Sequence, residues 1–241
     1  MKGVILAGGT GSRLWPLTSV TNKHLLPVYD KPMIFYPLEQ MASCHIRNVM
    51  LVCGGNSFDS FRQLLGDGSN FGLNLSYAYQ TEPDGIAGAM SLAERFVGGE
   101  QVCVTLADNI FEKSMRPNIC MLENKPGAAI FCTRVANPQH YGVVEVDDRH
   151  RIERITEKPP VPSSDLIATG FYVYDDMVWD ILRGLDRSAR REFEITDVNN
   201  KYIAGAAMTY VKFDGWWVDC GESIDGYLDA CVKVRGARKC A

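Results

Sequence analysis

Short apolar runs alternate with segments of helical period through the first half of this chain. That alternation constrains the fold more than any other feature. Gly3–Ala7, Asn48–Cys53, Leu73–Gln80 and Gln101–Leu106 are predicted strands, and Met33–Ser43, Ser57–Leu65 and Ile86–Phe96 are predicted helices between them. Ser57 stands where a helix N-cap is expected. Ile86, Ala89, Met90, Ala93 and Phe96 share one helical face. This order implies an α/β fold, Rossmann-like, with a mixed, mostly parallel sheet flanked by helices and ligands at the carboxyl ends of the strands. The second half changes texture. Ala128–Val135, Gly142–Val146, Arg151–Ile155, Ala168–Tyr174 and Met208–Phe213 read as strands, and Ile195–Ala204 and Ile224–Val234 as helices. At 241 residues and 46% hydrophobic, the chain suffices for one large domain of this kind, expected to span residues 1–241.

Gly8-Gly9-Thr10-Gly11-Ser12-Arg13 follows the first strand directly. Its glycines let backbone N–H groups approach a ligand where a Cβ would block them, and Arg13 adds a planar, permanently charged fork. The pattern reads as a polyphosphate cradle. It is not the dinucleotide fingerprint, because Leu14 stands where the third glycine belongs, and no Gly-Lys pair of Walker type occurs. Taken alone, the segment also reads as a plain tight turn.

Further along are isolated charges at strand ends. Asp108 follows a buried run and reads either as a helix N-cap or as a Mg2+ ligand. Asp219, after Trp216-Trp217-Val218, carries the same two readings. Lys158, which Pro159 should hold extended, is either a surface strand end or a cation for a monophosphate. Glu157 can accept hydrogen bonds from sugar hydroxyls. Lys23 is the remaining basic candidate, while His24 beside it has no Ser or Cys partner and is assigned no role. Two cations, an anion nest and paired carboxylates, without a nucleophile–histidine pair, suit phosphoryl or nucleotidyl transfer.

Other classes recede. Net charge is −4 and the basic residues are scattered, so no nucleic-acid partner is expected. The eight cysteines form no C-x-x-C pair and mostly lie in apolar runs, which suits a reducing compartment. The first apolar run stops at Gly8-Gly9, too soon for a signal peptide or a membrane span. A cytoplasmic protein with no membrane partner is expected.

In these motifs the chain resembles the sugar-phosphate nucleotidylyltransferases. The likeness runs through Gly8–Arg13, Lys23–Pro27, Gln80–Gly85, Asp108–Phe111, Tyr141–Val146, Glu157–Pro159, Thr169–Asp175, Glu192–Asn199 and Trp217–Gly221. It implies transfer of a thymidylyl group from dTTP to glucose 1-phosphate with Mg2+, giving dTDP-glucose and pyrophosphate. A nucleotide-binding half at about 1–125 and a sugar-phosphate half at about 126–241 would follow. The resemblance assigns the nucleotide to Leu6, Gly8, Gly9, Thr10, Gly11, Arg13, Lys23, Gln80 and Gly85. It assigns the sugar phosphate to Asn109, Tyr141, Gly142, Glu157, Lys158, Ala168, Thr169, Glu192 and Trp217, and the metal to Asp108 and Asp219. Arg13, Lys158 and Asp108 would carry catalysis.

Four positions depart from the family pattern: His24 for glutamine, Gly88 for glutamine, Ala107 for glycine and Cys220 for threonine. A uridylyl- or cytidylyltransferase and a catalytically silent nucleotide-sugar sensor are the rival readings. The resemblance also implies a homo-oligomer. Longer members carry a helical C-terminal segment for allosteric nucleotide binding, so a short form without that regulation is expected here.

Overall fold

A computed structural model describes residues 1–239; Cys240, counted above among the thiols, lies outside the described residues. The first half runs β1 (Lys2–Ala7), β2 (Pro27–Val28), β3 (Lys31–Pro32), α1 (Phe35–Ser43), β4 (Asn48–Gly54), α2 (Phe58–Leu65), β5 (Asn74–Gln80), α3 (Ile86–Ser91), α4 (Glu94–Val97), β6 (Val102–Leu106), β7 (Asn109–Phe111) and α5 (Arg116–Leu122). The second half runs β8 (Ala128–Arg134), β9 (Gly142–Val146), β10 (Ile152–Glu157), β11 (Leu166–Tyr174), α6 (Val178–Arg183), α7 (Ile195–Ala204), β12 (Met208–Lys212), β13 (Trp217–Asp219) and α8 (Ile224–Lys239).

Nine strands form one mixed sheet. Its main path is β10-β9-β11-β6-β1-β4-β5, with β8 and β12 joined through β11. The block β6-β1-β4-β5 is parallel, as crossover helices require. Successive residues of β1 alternate faces: Ile5 and Ala7 join the core with α1, and Val4 and Leu6 join the one under α3, α6 and α7. The long strand β11 runs antiparallel to β6, with Phe171 opposite Thr105, and so stitches the two halves into one sheet. Phe35, Tyr36, Met41 and Tyr227, candidates for either core or a subunit contact, all pack against core clusters. Among the described residues no helix is long and apolar enough to cross a membrane.

Several expected boundaries moved for local reasons. Helix α1 starts at Phe35, because Met33 and Ile34 donate their N–H groups to Leu26 and His24 carbonyls and are held out of it. Ser57 precedes α2 but its hydroxyl makes no cap hydrogen bond. The single helix expected over 86–96 breaks in two. Leu92 and Ala93 donate to the carbonyls of Ala89 and Met90, three residues back, which tightens the turn between α3 and α4.

Thr169 has a structural tie as well. Its side chain is buried and its hydroxyl donates to the Phe131 carbonyl at 2.8 Å, tying β11 to β8. The donated hydrogen helps hold the sheet, while the acceptor lone pairs of the hydroxyl are left over. Thr169→Val should therefore lower unfolding free energy by about 1–2 kcal/mol. Denaturant titration measures this.

Candidate active site

Because β1, β4, β5 and β6 are parallel and in register, their carboxyl ends finish at one edge. Leu6 lies opposite Leu106, and Gly54 opposite Gln80. Gly8, Gln80 and Asp108 therefore emerge side by side. Strand β11 enters the same edge from the other direction and delivers Ala168, Thr169 and Gly170. The result is a cleft of about 490 Å³. A hollow of about 520 Å³ beside α1, lined by Phe35, Glu39, Leu64 and Phe71, holds none of the expected residues, so chemistry rather than size singles out the cleft.

Of the residues singled out in the sequence, all but Gly11 line this cleft. Leu6, Gly8, Gly9, Thr10, Arg13 and Lys23 form one wall, with Gln80 and Gly85 above it. Asp108, Asn109, Trp217 and Asp219 form the floor, and Tyr141, Gly142, Glu157, Lys158, Ala168, Thr169 and Glu192 the far side. Gly11 is not among the lining residues; its φ is 66°, and a Cβ there would press on Thr18 and Lys23. It shapes the turn that presents Arg13, a role its position at the start of the Ser12–Leu14 3-10 turn explains.

The floor is built by a ribbon that no sequence periodicity announced. β13 pairs antiparallel with β7, placing Asp219 opposite Asn109 and so beside Asp108. Neither acid caps a helix. Residue 109 begins a strand, and Asp219 accepts from the Gly221 N–H at 2.8 Å in a turn ahead of α8. Asn109 is structural as well as lining. Its Nδ2 donates to Asp108 at 3.0 Å, and its Oδ1 accepts from Trp217 Nε1 at 2.7 Å and Gly170 N at 2.9 Å. With both ends engaged, Asn109 aims Asp108.

Asp108 is buried and ion-paired with Lys23. Burial by itself would raise its pKa, yet the lysine charge and hydrogen bond drive it below the ordinary carboxylate range. Burial likewise opposes charge on Lys23, and Asp108 overrides it upward. Asp219 moves the other way, raised by burial and then by the negative charge of Asp108. Of the two carboxylates only Asp108 is ion-paired with Lys23, and Asp219 resists ionising beside that negative charge. That setting fits a divalent cation. Among the described residues no cluster of three or more acidic, His or Cys groups could hold a metal by itself. Mg2+ characteristically takes one or two carboxylates and completes its shell with phosphate oxygens and water.

His24 fills the space behind Lys23. Asn22 Oδ1 accepts from its Nδ1 at 2.9 Å, and burial followed by the Lys23 charge lowers its pKa to about 3. Below the ordinary value of 6.5, the unfolded chain takes up a proton that the folded chain refuses. Stability should therefore be complete above that pH and fall as pH drops toward about 3. Thermal melts of wild type and His24→Gln across this window check the point: the wild type loses more stability on acidification, and the two curves run parallel above pH 7.

On the far side, Lys158 is not extended. Its φ is 43°, and its N–H donates to the Tyr141 carbonyl at 3.0 Å, which bends the chain after β10 against the preference of a residue before proline. The bend leaves the ammonium half-exposed at the cleft mouth, 3.5 Å from Glu157. Glu157 Oε2 accepts from Thr196 Oγ1 at 2.6 Å. Arg190, which sequence reasoning passed over, reaches Glu194 at 2.7 Å and both Glu157 and Glu192 at 3.4 Å. Thr196 and Asn199 also line the cleft from α7. The likeness over Glu192–Asn199 spans both, although it assigns neither of them a role.

A family model described as nucleotidyl transferase matches residues 2–236. The chain is 44% identical over 238 residues to a glucose-1-phosphate thymidylyltransferase of Mycolicibacterium smegmatis, covering 98% of this chain and 82% of that one. It is 43% identical over 225 residues to a protein of the same name from Neisseria meningitidis, covering 92% and 78%. A Bacillus anthracis crystal structure assigned to the same enzyme, in complex with sucrose, superposes with a TM-score of 0.93. It is 42% identical and covers 98% of this chain and 95% of its own. A UDP-glucose pyrophosphorylase with UDP-glucose, 23% identical at TM-score 0.85, shares the fold.

Proposed function

Since the chain belongs to the nucleotidyl transferase family, we infer that it transfers a thymidylyl group from dTTP to glucose 1-phosphate, releasing dTDP-glucose and pyrophosphate. The observation that carries this reading is the gathering of Arg13, Lys23 and Lys158 around the Asp108–Asp219 pair in one cleft. A silent sensor would have no use for that concentration of charge.

The phosphate of a sugar 1-phosphate, with a second pKa of about 6, is already largely a dianion at neutral pH. It therefore needs no general base, and His24, one of two histidines that line the cleft, is buried and neutral. The task left to the chain is to bring two mutually repelling anions into line. Backbone N–H groups of Gly8–Thr10 would cradle the triphosphate, with Arg13 on the departing pyrophosphate. Lys158 would hold the sugar phosphate, and Glu157, fixed by Thr196, would accept from sugar hydroxyls. Gln80 and Gly85 would meet the base. Asp108 and Asp219 would hold Mg2+, which when bound neutralises charge at the α-phosphate. Lys23 keeps Asp108 ionised and ready for that ligand. The nucleotide then occupies mainly residues 1–125 and the sugar phosphate mainly 126–241, across the seam where β11 pairs with β6.

Pyrophosphate release from dTTP, UTP, dCTP and ATP with glucose 1-phosphate tests the assignment. Preference for dTTP is expected. No release with any of the four would overturn it.

A further inference from the structure

Gln80 ends β5 with its side chain buried at the cleft wall. Its Nε2 donates to Asp84 Oδ1 at 3.0 Å. A carboxylate has no hydrogen to give, so the Gln80 amide must turn its nitrogen toward Asp84 and its oxygen away. The oxygen lies over Gly8, where a Cβ would stand 2.6 Å from Gln80 Oε1. The cleft wall at this point therefore offers an acceptor.

Asp84 is itself well held. Its carbonyl accepts from Phe193 N at 2.8 Å, and the Phe193 carbonyl accepts in turn from Ala87 N at 3.1 Å. Its second carboxylate oxygen is 3.7 Å from Arg187, whose guanidinium sits over the Phe193 ring at 4.5 Å. Its carboxylate occupies the space above Gly88, where a Cβ would come within 2.6 Å of the Asp84 carboxyl carbon. Glycine at 88 thus leaves room for the carboxylate to reach Gln80.

Thymine has a single ring donor, N3–H. An outward-facing amide oxygen can meet only that edge, and cytosine presents a bare lone pair in the same place. We propose that Asp84 is a positioning residue that sets base preference by locking the Gln80 amide with its oxygen toward the nucleotide, in the room Gly88 leaves. This rests on the thymidylyl-transfer reading above. Asp84 does not line the cleft, so it acts through Gln80.

Two substitutions test the lock. Asp84→Asn can donate to the Gln80 oxygen, letting the amide turn its nitrogen toward the base. Gly88→Ala keeps the carboxylate but pushes it from its place, in a helix that alanine favours. The kcat/KM ratio for dTTP over dCTP is measured at saturating glucose 1-phosphate. It should fall roughly tenfold or more in Asp84→Asn and severalfold in Gly88→Ala, because an unmatched buried polar pair is what such sites discriminate by. The KM for glucose 1-phosphate should hold in both. If the ratio stays within about twofold of wild type in both variants, even with both rates reduced, Asp84 is merely structural and the inference fails. A wild-type enzyme that prefers dCTP overturns the parent reading and this one together, whereas a dTTP-selective wild type with unmoved variants overturns this one alone.

Discussion

Asparagine in place of Asp108 should lower kcat by roughly a thousandfold, while changing the dissociation constant for dTTP by less than about fivefold. The change keeps the side-chain shape, and Asn109 can still bond its oxygen, so the floor of the cleft should stay in place. What disappears is the negative charge, in a buried setting where each charge acts strongly. Lys23 loses its partner, and Asp219 loses the neighbour that, after burial, raises its pKa. The ion meant to neutralise the α-phosphate then has one ionised ligand instead of two. The backbone cradle at Gly8–Thr10 is untouched, so nucleotide affinity should persist. Steady-state rates paired with calorimetric titration of dTTP separate the two quantities. Turnover near the wild-type rate at saturating substrates would remove Asp108 from the chemistry.

Lys158→Ala should lower kcat/KM for glucose 1-phosphate by about a hundredfold, since one charge-assisted contact to a dianion is lost. Little stability should go with it, because the ammonium is half-exposed and its contact to Glu157 is loose at 3.5 Å. Nucleotide affinity should again hold, which distinguishes this variant from loss of Arg13 on the triphosphate side. Lys158→Arg should recover part of the activity, for it restores charge but not the compact geometry of an ammonium. If alanine at 158 left kcat/KM unchanged, the sugar phosphate would have to be held elsewhere. Arg190, already drawn among Glu157, Glu192 and Glu194, is the nearest other cation on that side.

The readable parts of this molecule were those with local causes. The glycine-rich segment behind β1 was legible as a place of close backbone approach, and Gly8, Gly9, Thr10 and Arg13 of it line the cleft. The buried runs that became β4 and β6 showed themselves through apolar continuity, and the helices around them through period. Where local rules misled, a tertiary contact had replaced a local one. Lys158 before proline should be extended, yet its N–H is taken by Tyr141 and the backbone turns to φ 43°. Thr169 and Asn109 line the cleft and also brace it, through Phe131, Asp108, Trp217 and Gly170.

By itself, then, the sequence determined that a mostly parallel α/β sheet would form and that isolated charges would lie at its strand ends, since alternation and glycine placement act over a few residues. Only the tertiary structure decided which charges meet. Asp108 and Asp219 become neighbours through the β7–β13 register, and β11 reaches the floor because it runs against β6. Pairings between distant segments rest on loop closure and packing summed over the whole chain. No short window of residues contains that information.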